Sequence, residues 1–270
     1  MHRTALTSRR DFLKAGLGAL AVPMLPACLG SPQGPLARTS PQLLARPGIP
    51  SVAPVKGPQS LGFGSDRDGV LYVPESYTPD TPVPLWVALH GAGGSSATWT
   101  SYYERAESRG MVLLAPDSRF QTWDVVAQGD FGPDVLFLDR ALEHTFERCR
   151  VDPSRIALAG FSDGASYALS LGRPNAELFT HLVAYSPGLI AAGYSQPRVL
   201  EIFVSHGTLD TVIPVENTRE NIVPTLRALG NDVTYREFEG PHAVPAEISE
   251  AALDWFFAIP EGDARRTCSA

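Results

Sequence analysis

Ile156-Ala157-Leu158-Ala159-Gly160-Phe161-Ser162-Asp163-Gly164-Ala165-Ser166-Tyr167-Ala168-Leu169 is the stretch that decides the fold. Its first four residues are an uninterrupted apolar run, the pattern of a strand buried on both faces. Gly160 to Gly164 fit G-x-S-x-G, and helical character follows from Ala165. Strand, tight turn and helix in direct succession project a serine from the crest of the turn. Small flanking residues let the backbone crowd together, and the helix start aims N–H groups at negative charge forming beside that serine. Taken alone, the same five residues also describe a glycine-rich turn with an idle serine.

The buried-strand signature recurs on both sides, at Leu85–Leu89, Val112–Ala115, Leu182–Tyr185 and Leu200–Val204, with a more polar strand at Val233–Phe238. Leu61–Phe63 and Val70–Val73 read as a hairpin around a Gly/Asp turn. Helical periodicity lies between the strands. Over Asp134–Cys149, Val135, Leu138, Leu142, Phe146 and Cys149 share one face, opposite Arg140, Glu143, His144 and Glu147. Val215–Leu229 and Ala246–Phe257 are further helices, the first expected to kink at Pro224. Strands alternating with helices predict an α/β fold with a mostly parallel central sheet flanked by helices. No internal repeat or second domain is visible.

Composition narrows the function. The chain has 270 residues, 44% hydrophobic and 19% charged, with 22 basic against 29 acidic residues and a net charge of −7. An acidic chain without a basic run is poorly suited to nucleic acid. Three cysteines with no C-x-x-C spacing suggest neither a disulfide scaffold nor a zinc site. Cys149 and Cys268 either pair outside the cytoplasm, or Cys149 is a buried free thiol.

The N-terminus reads as an address. Thr7-Ser8-Arg9-Arg10-Asp11-Phe12-Leu13-Lys14 resembles a twin-arginine export signal, and the apolar stretch Leu17 to Pro26 is short for a membrane span. Leu25-Pro26-Ala27-Cys28 resembles a lipobox, with Pro26 unusual in it and Cys28 the residue that would be lipidated. The expected destination is the periplasm or cell envelope, with a lipid anchor, or release as a secreted protein. Residues 1–27 are thus expected to be a signal peptide and 28–60, with seven prolines, an extended linker. Residues 61–259 form the folded domain, and 260–270 a tail. The signal carries four basic residues and one acidic, so the acidity belongs to the remainder.

His90-Gly91-Ala92-Gly93-Gly94 directly follows the strand Leu85–Leu89. Glycines there expose backbone N–H groups, which makes Ala92 N–H, with Asp163 N–H, the expected donors to an oxyanion. A reactive serine needs a neutral imidazole and a carboxylate to orient it. Of six histidines, His2 lies in the signal, His144 on a charged helix face, His181 at a strand start, His90 in the glycine loop and His206 at a strand end. His242, between the last strand and last helix, remains. Asp210 follows Leu200–Val204, so the chain order is Ser162, Asp210, His242.

These motifs together resemble the α/β-hydrolases of the carboxylesterase/phospholipase branch, near polyhydroxybutyrate-depolymerase-like and feruloyl-esterase-like bacterial proteins. Tyr72-Val73-Pro74, Leu89 to Gly94, Gly160 to Gly164, His206-Gly207-Thr208-Leu209-Asp210 and Gly240-Pro241-His242 carry the resemblance, which covers about Leu61 to Ala258. It implies an α/β-hydrolase fold, catalytic Ser162, Asp210 and His242, and an acyl-enzyme formed from a small or oligomeric ester without metal or organic cofactor. Thioesterase relatives usually carry glutamine where this chain has Asp163, whose charge disfavours anionic acyl groups. Only Ser186 to Arg198 separates two strands where many lipases insert a cap, so no large cap domain is expected. Trp123 either walls the substrate pocket or belongs to the core. The competing functions are a serine peptidase or polyester depolymerase on the same triad, and a non-catalytic surface lipoprotein that binds glycans or polyesters.

Overall fold

The computed structural model describes residues 40–64 and 67–258. Within them, eight strands form one sheet: β1 (Gly57–Ser60), β2 (Gly69–Val73), β3 (Val83–Leu89), β4 (Val112–Pro116), β5 (Val151–Phe161), β6 (His181–Tyr185), β7 (Glu201–Gly207) and β8 (Asp232–Phe238). Their spatial order is β1-β2-β4-β3-β5-β6-β7-β8. β2 pairs antiparallel with β1 and β4; every later pairing is parallel. The helices are α1 (Tyr102–Arg109), α2 (Asp124–Gln128), α3 (Pro133–Arg148), α4 (Asp163–Gly172), α5 (Val215–Asn217), α6 (Val223–Ala228) and α7 (Ala246–Phe257).

The inner strands carry continuous apolar runs because both faces are covered, whereas the edge strands β1 and β8 are more polar and partly exposed. Leu85, Val87 and Leu89 of β3, with Ile156, Leu158, Leu182 and Ala184, pack in one cluster with Leu138 and Leu142 of α3 and Leu169 of α4. The alternate residues Trp86, Ala88, Ala157, Ala159, Val183 and Phe203 pack with Ala106 of α1 and Ile248, Ala252 and Phe256 of α7. The two-residue period of the strand divides one run between two cores. Each fully buried large side chain contributes about 1.5–3 kcal/mol.

Helices α3, α4 and α7 fall where periodicity places them. Other expectations shift. The hairpin partner of β2 is β1, which ends directly before the expected Leu61–Phe63; Gly62 within that stretch and Gly64 just after it, at φ 73° and 74°, turn the chain. Residues 40–56 form neither helix nor strand, as their prolines require, yet they are no free tether. Leu43 is fully buried and its N–H donates to Asn175 Oδ1 at 2.8 Å. The Leu44 and Ala45 N–H groups donate to Asp139 Oδ1 on α3, and those of Ser51 and Val52 to Glu147 O. The folded unit therefore includes residues expected to be linker.

The helix expected over Val215–Leu229 is present as a contiguous run of α5, a π turn and α6, with the irregularity directly before Pro224. A π turn, Thr218–Ile222, precedes α6 and absorbs the backbone bond that proline cannot make. Helices α1 and α2 are short or polar and leave little periodic signal. Cys149 is fully buried, and burial pushes its thiol up to about 12. The twin-arginine stretch, Cys28, residues 260–270 and Cys268 lie outside the described residues. No helix among the described residues is long and apolar enough to cross a membrane.

Candidate active site

Parallel strands end at a common edge, and the loops after β3, β5, β7 and β8 meet there. Ser162 stands between β5 and α4 with φ 58° and ψ −118°. A non-glycine residue in this region stores roughly 1–3 kcal/mol of strain, held here by the packed strand and helix on either side. Its N–H donates to Tyr185 O at 2.8 Å. The flanking glycines are required by contact: a Cβ on Gly160 would lie 2.2 Å from the Gly164 carbonyl carbon, and one on Gly164 2.3 Å from Leu89 O.

Ser162 Oγ lies 2.8 Å from His242 Nε2, and His242 Nδ1 lies 2.5 Å from Asp210 Oδ2. A ring protonated on Nδ1 donates to the carboxylate and leaves Nε2 to accept the serine proton. The other carboxylate oxygen, Asp210 Oδ1, accepts from the N–H groups of Val212 and Ile213 at 2.8 and 2.9 Å. The Asp210 side chain has no exposed area. Burial alone raises its pKa, but the N–H of Ile213, the His242 ring and the N–H of Val212 outweigh that, and the net shift is downward. Asp210 is thus held as a charged acceptor. The Phe161 ring packs 4.7 Å from the His242 ring and braces its orientation. The acid and base loops also lean on each other: a Cβ on Gly207 would lie 2.4 Å from Gly240 O and 2.5 Å from Pro241 O.

The glycine loop reaches the same place. A Cβ on Gly91 would lie 3.3 Å from Ser162 Cβ. Neither the Ala92 N–H nor the Asp163 N–H has an acceptor among the described residues. His90 shapes this loop from within the core: Nδ1 lies 2.7 Å from Gly91 O, and Nε2 accepts from Ser118 N–H at 3.0 Å. Burial lowers its pKa, consistent with a neutral structural ring. The Asp163 carboxylate accepts from the Thr122 hydroxyl at 2.5 Å, which ties the charged side chain beside its backbone N–H.

Trp123 is core and not a pocket wall. It is 1% exposed, stacks on Tyr167 with centroids 4.9 Å apart, and donates its indole N–H to His90 O at 2.8 Å. The wall beside His242 comes from residues the sequence did not single out. A cavity of about 250 Å³ is lined there by Trp99, Tyr102, Phe161, Val244 and Ser249. Trp99 and Tyr102 are spaced three apart just beyond the glycine loop, a pattern that sequence reading assigns to core as readily as to a site. A larger cavity of about 620 Å³ lies at the amino ends of β5, β6 and β7, among Arg155, His181 and Arg198. It contains none of the three residues above. No cluster among the described residues has the ligand set of a metal site.

Residues 136–255 match the Phospholipase/Carboxylesterase family model. A probable feruloyl esterase C of Aspergillus oryzae is 28% identical over 163 residues, covering 56% of this chain and 58% of that protein. Feruloyl esterase C of Emericella nidulans is 29% identical over 186 residues, covering 60% of this chain and 66% of that protein. The chain thus spans about three fifths of the length of these curated relatives. A thermophilic esterase of Thermogutta terrifontis superposes with a TM-score of 0.58 at 20% identity, covering 80% of this chain and 98% of that one. The fold is the α/β-hydrolase fold. Residues 186–200, between β6 and β7, contain no helix and no large cap domain.

Proposed function

We propose that the chain is a serine hydrolase of carboxylic esters, working through an acyl-enzyme on Ser162. The observation that carries this reading is the continuous contact from Ser162 Oγ through the His242 ring to Asp210, at 2.8 and 2.5 Å. His242 Nε2 takes the serine proton as Oγ attacks the ester carbonyl. The N–H groups of Ala92 and Asp163 hold the resulting oxyanion, an arrangement in which one donor is typically worth about 10²–10³ in rate. His242 then protonates the leaving alkoxide, and the same base activates water to release the acid. Asp210 stays charged throughout and stabilises the imidazolium.

The similarity to feruloyl esterases supports small esters of hydroxylated alcohols or aromatic acids as substrates. The cavity beside His242 has aromatic walls and a serine hydroxyl, and it lies next to the group that protonates the leaving alcohol. The twin-arginine pattern supports export, and Cys28 a lipid anchor; the mass of the mature N-terminus tests both. A fluorophosphonate probe is expected to label wild type at Ser162 and to leave Ser162→Ala unlabelled, with kcat on p-nitrophenyl acetate falling about 10⁶-fold. A folded wild type that neither labels nor turns over acetate, methyl ferulate or a peptide anilide would sink the proposal. Faster turnover of the anilide would move it to a peptidase.

A further inference from the structure

His206, the penultimate residue of β7, has no part in the chemistry above, yet its ring lies against Asp210. It is fully buried. Nε2 lies 2.8 Å from Ile213 O and 3.1 Å from Asp210 Oδ2. Both are acceptors, so Nε2 must carry a proton. Nδ1 lies 2.8 Å from the Thr218 hydroxyl, whose single proton goes either to Nδ1 or to Pro187 O at 3.2 Å, the contact to Nδ1 being the shorter. A neutral ring protonated on Nε2 satisfies all three contacts. The other neutral tautomer would set a buried lone pair against a carbonyl and a carboxylate, at the cost of an unmet acceptor pair.

These contacts grip one turn at both ends. Asp210 Oδ1 already takes the N–H groups of Val212 and Ile213. His206 binds the carbonyl of that same Ile213 and faces the oxygen, Oδ2, that receives His242 Nδ1–H.

We propose that His206 is a positioning residue of the site: through Ile213 O it fixes the turn that carries Asp210, and through Nε2–H it shares the charge on Oδ2. The proposal rests on the esterase reading and adds a fourth side chain to it. Without this N–H, Oδ2 concentrates its charge on His242 and stabilises the protonated ring. The acid limb of the rate profile then moves to higher pH. Glu237, opposite His206 on β8, also faces the pair; it is bound by Arg219 and is not hydrogen-bonded to Asp210.

The test uses the full chain with His206→Leu, His206→Asn and His206→Gln. Two quantities are read across the acid range: kcat and KM on p-nitrophenyl acetate, and the midpoint of the His242 ring titration by NMR. The amide of Gln reaches the place of Nε2–H, whereas that of Asn is one bond short. Leu and Asn are expected to lower kcat about 10- to 100-fold, the range of a lost bond to a charged group, with KM little changed. Both should move the kinetic limb and the ring midpoint to higher pH, while Gln restores most of kcat and returns both midpoints. Folded Leu or Asn variants with an unmoved ring midpoint would overturn the proposal, as would a Gln variant no better than Asn. A purely structural role would lower thermal stability and leave the midpoints alone. If Leu does not fold, Asn against Gln carries the comparison. A wild type without ester hydrolysis would overturn the functional reading; the NMR arm would then still decide whether His206 controls the Asp210–His242 pair.

Discussion

Asp210 and Asp124 are both buried aspartates on segments that follow strands at the same sheet edge, and their surroundings drive them in opposite directions. Asp210 meets donors on both oxygens, and its pKa falls. Asp124 offers Oδ2 to the N–H groups of Gly132 and Asp134, but Oδ1 finds no donor among the described residues. Burial, then the facing Asp134 carboxylate, push Asp124 up to about 6. Asp134 is raised as well, first by burial. Burial and a facing carboxylate push up the aspartate that ties α2 to the start of α3, whereas the Ile213 N–H, the His242 ring and the Val212 N–H hold Asp210 down.

The largest test of this contrast is Asp210→Asn. The amide cannot hold His242 in the same tautomer, and kcat is expected to fall about 10⁴-fold while the fold persists, as circular dichroism would report. An Asp210→Asn enzyme within about tenfold of wild type would erase the distinction.

Asp124→Asn is expected to do the reverse, leaving kcat unchanged and altering stability. With its pKa raised from 3.8 to about 6, Asp124 in the folded protein holds a proton that the unfolded chain has released. Its contribution is therefore full below the unfolded value and lost as pH rises through about 6. The variant escapes that loss, so denaturant unfolding at pH 8 should show it more stable by about 1–3 kcal/mol, with no gain near pH 4.

His181 supplies a smaller effect of opposite slope. Burial lowers its pKa from 6.5 to about 4, so the unfolded chain binds the proton first and stability is lost as pH falls between those values. The Arg155 guanidinium adds to the lowering. His181→Asn is expected to flatten the acid loss by about 1 kcal/mol, measured by the same unfolding series at pH 4 and pH 7.

Much of the fold is legible in the residues because parallel strands covered on both faces must be apolar throughout. Leu85–Leu89 and Ile156–Ala159 announce themselves for that reason. Ser162 and Asp210 are legible because each follows such an apolar run, and His242 because it comes after the last, more polar strand in the fixed chain order. Side-chain depth is not encoded in the same way. Trp123 looks like a pocket wall by position, but its indole N–H finds His90 O inside the core. Leu43 is hidden within a proline-rich stretch whose composition reads as solvated, and only its contact with Asn175 reveals the packing. His206 reads in the sequence as no more than a strand end. Its neighbour Ile213 is seven positions away, and a local pattern does not show that a turn brings the two together.

The bare approach of Gly207 to the loop at 240–242 has a consequence for anyone reshaping this protein. The acid and the base hang from separate strands, yet they share one wall that is a single hydrogen atom thick. Enlarging residue 207 would displace the imidazole without altering any reacting group, and activity would vanish for reasons no inspection of the three residues would disclose. In the cap-free connection Ser186 is buried and Gly188 and Leu189 are held by Ser166, so new specificity is better grafted onto the largely exposed stretch 192–199.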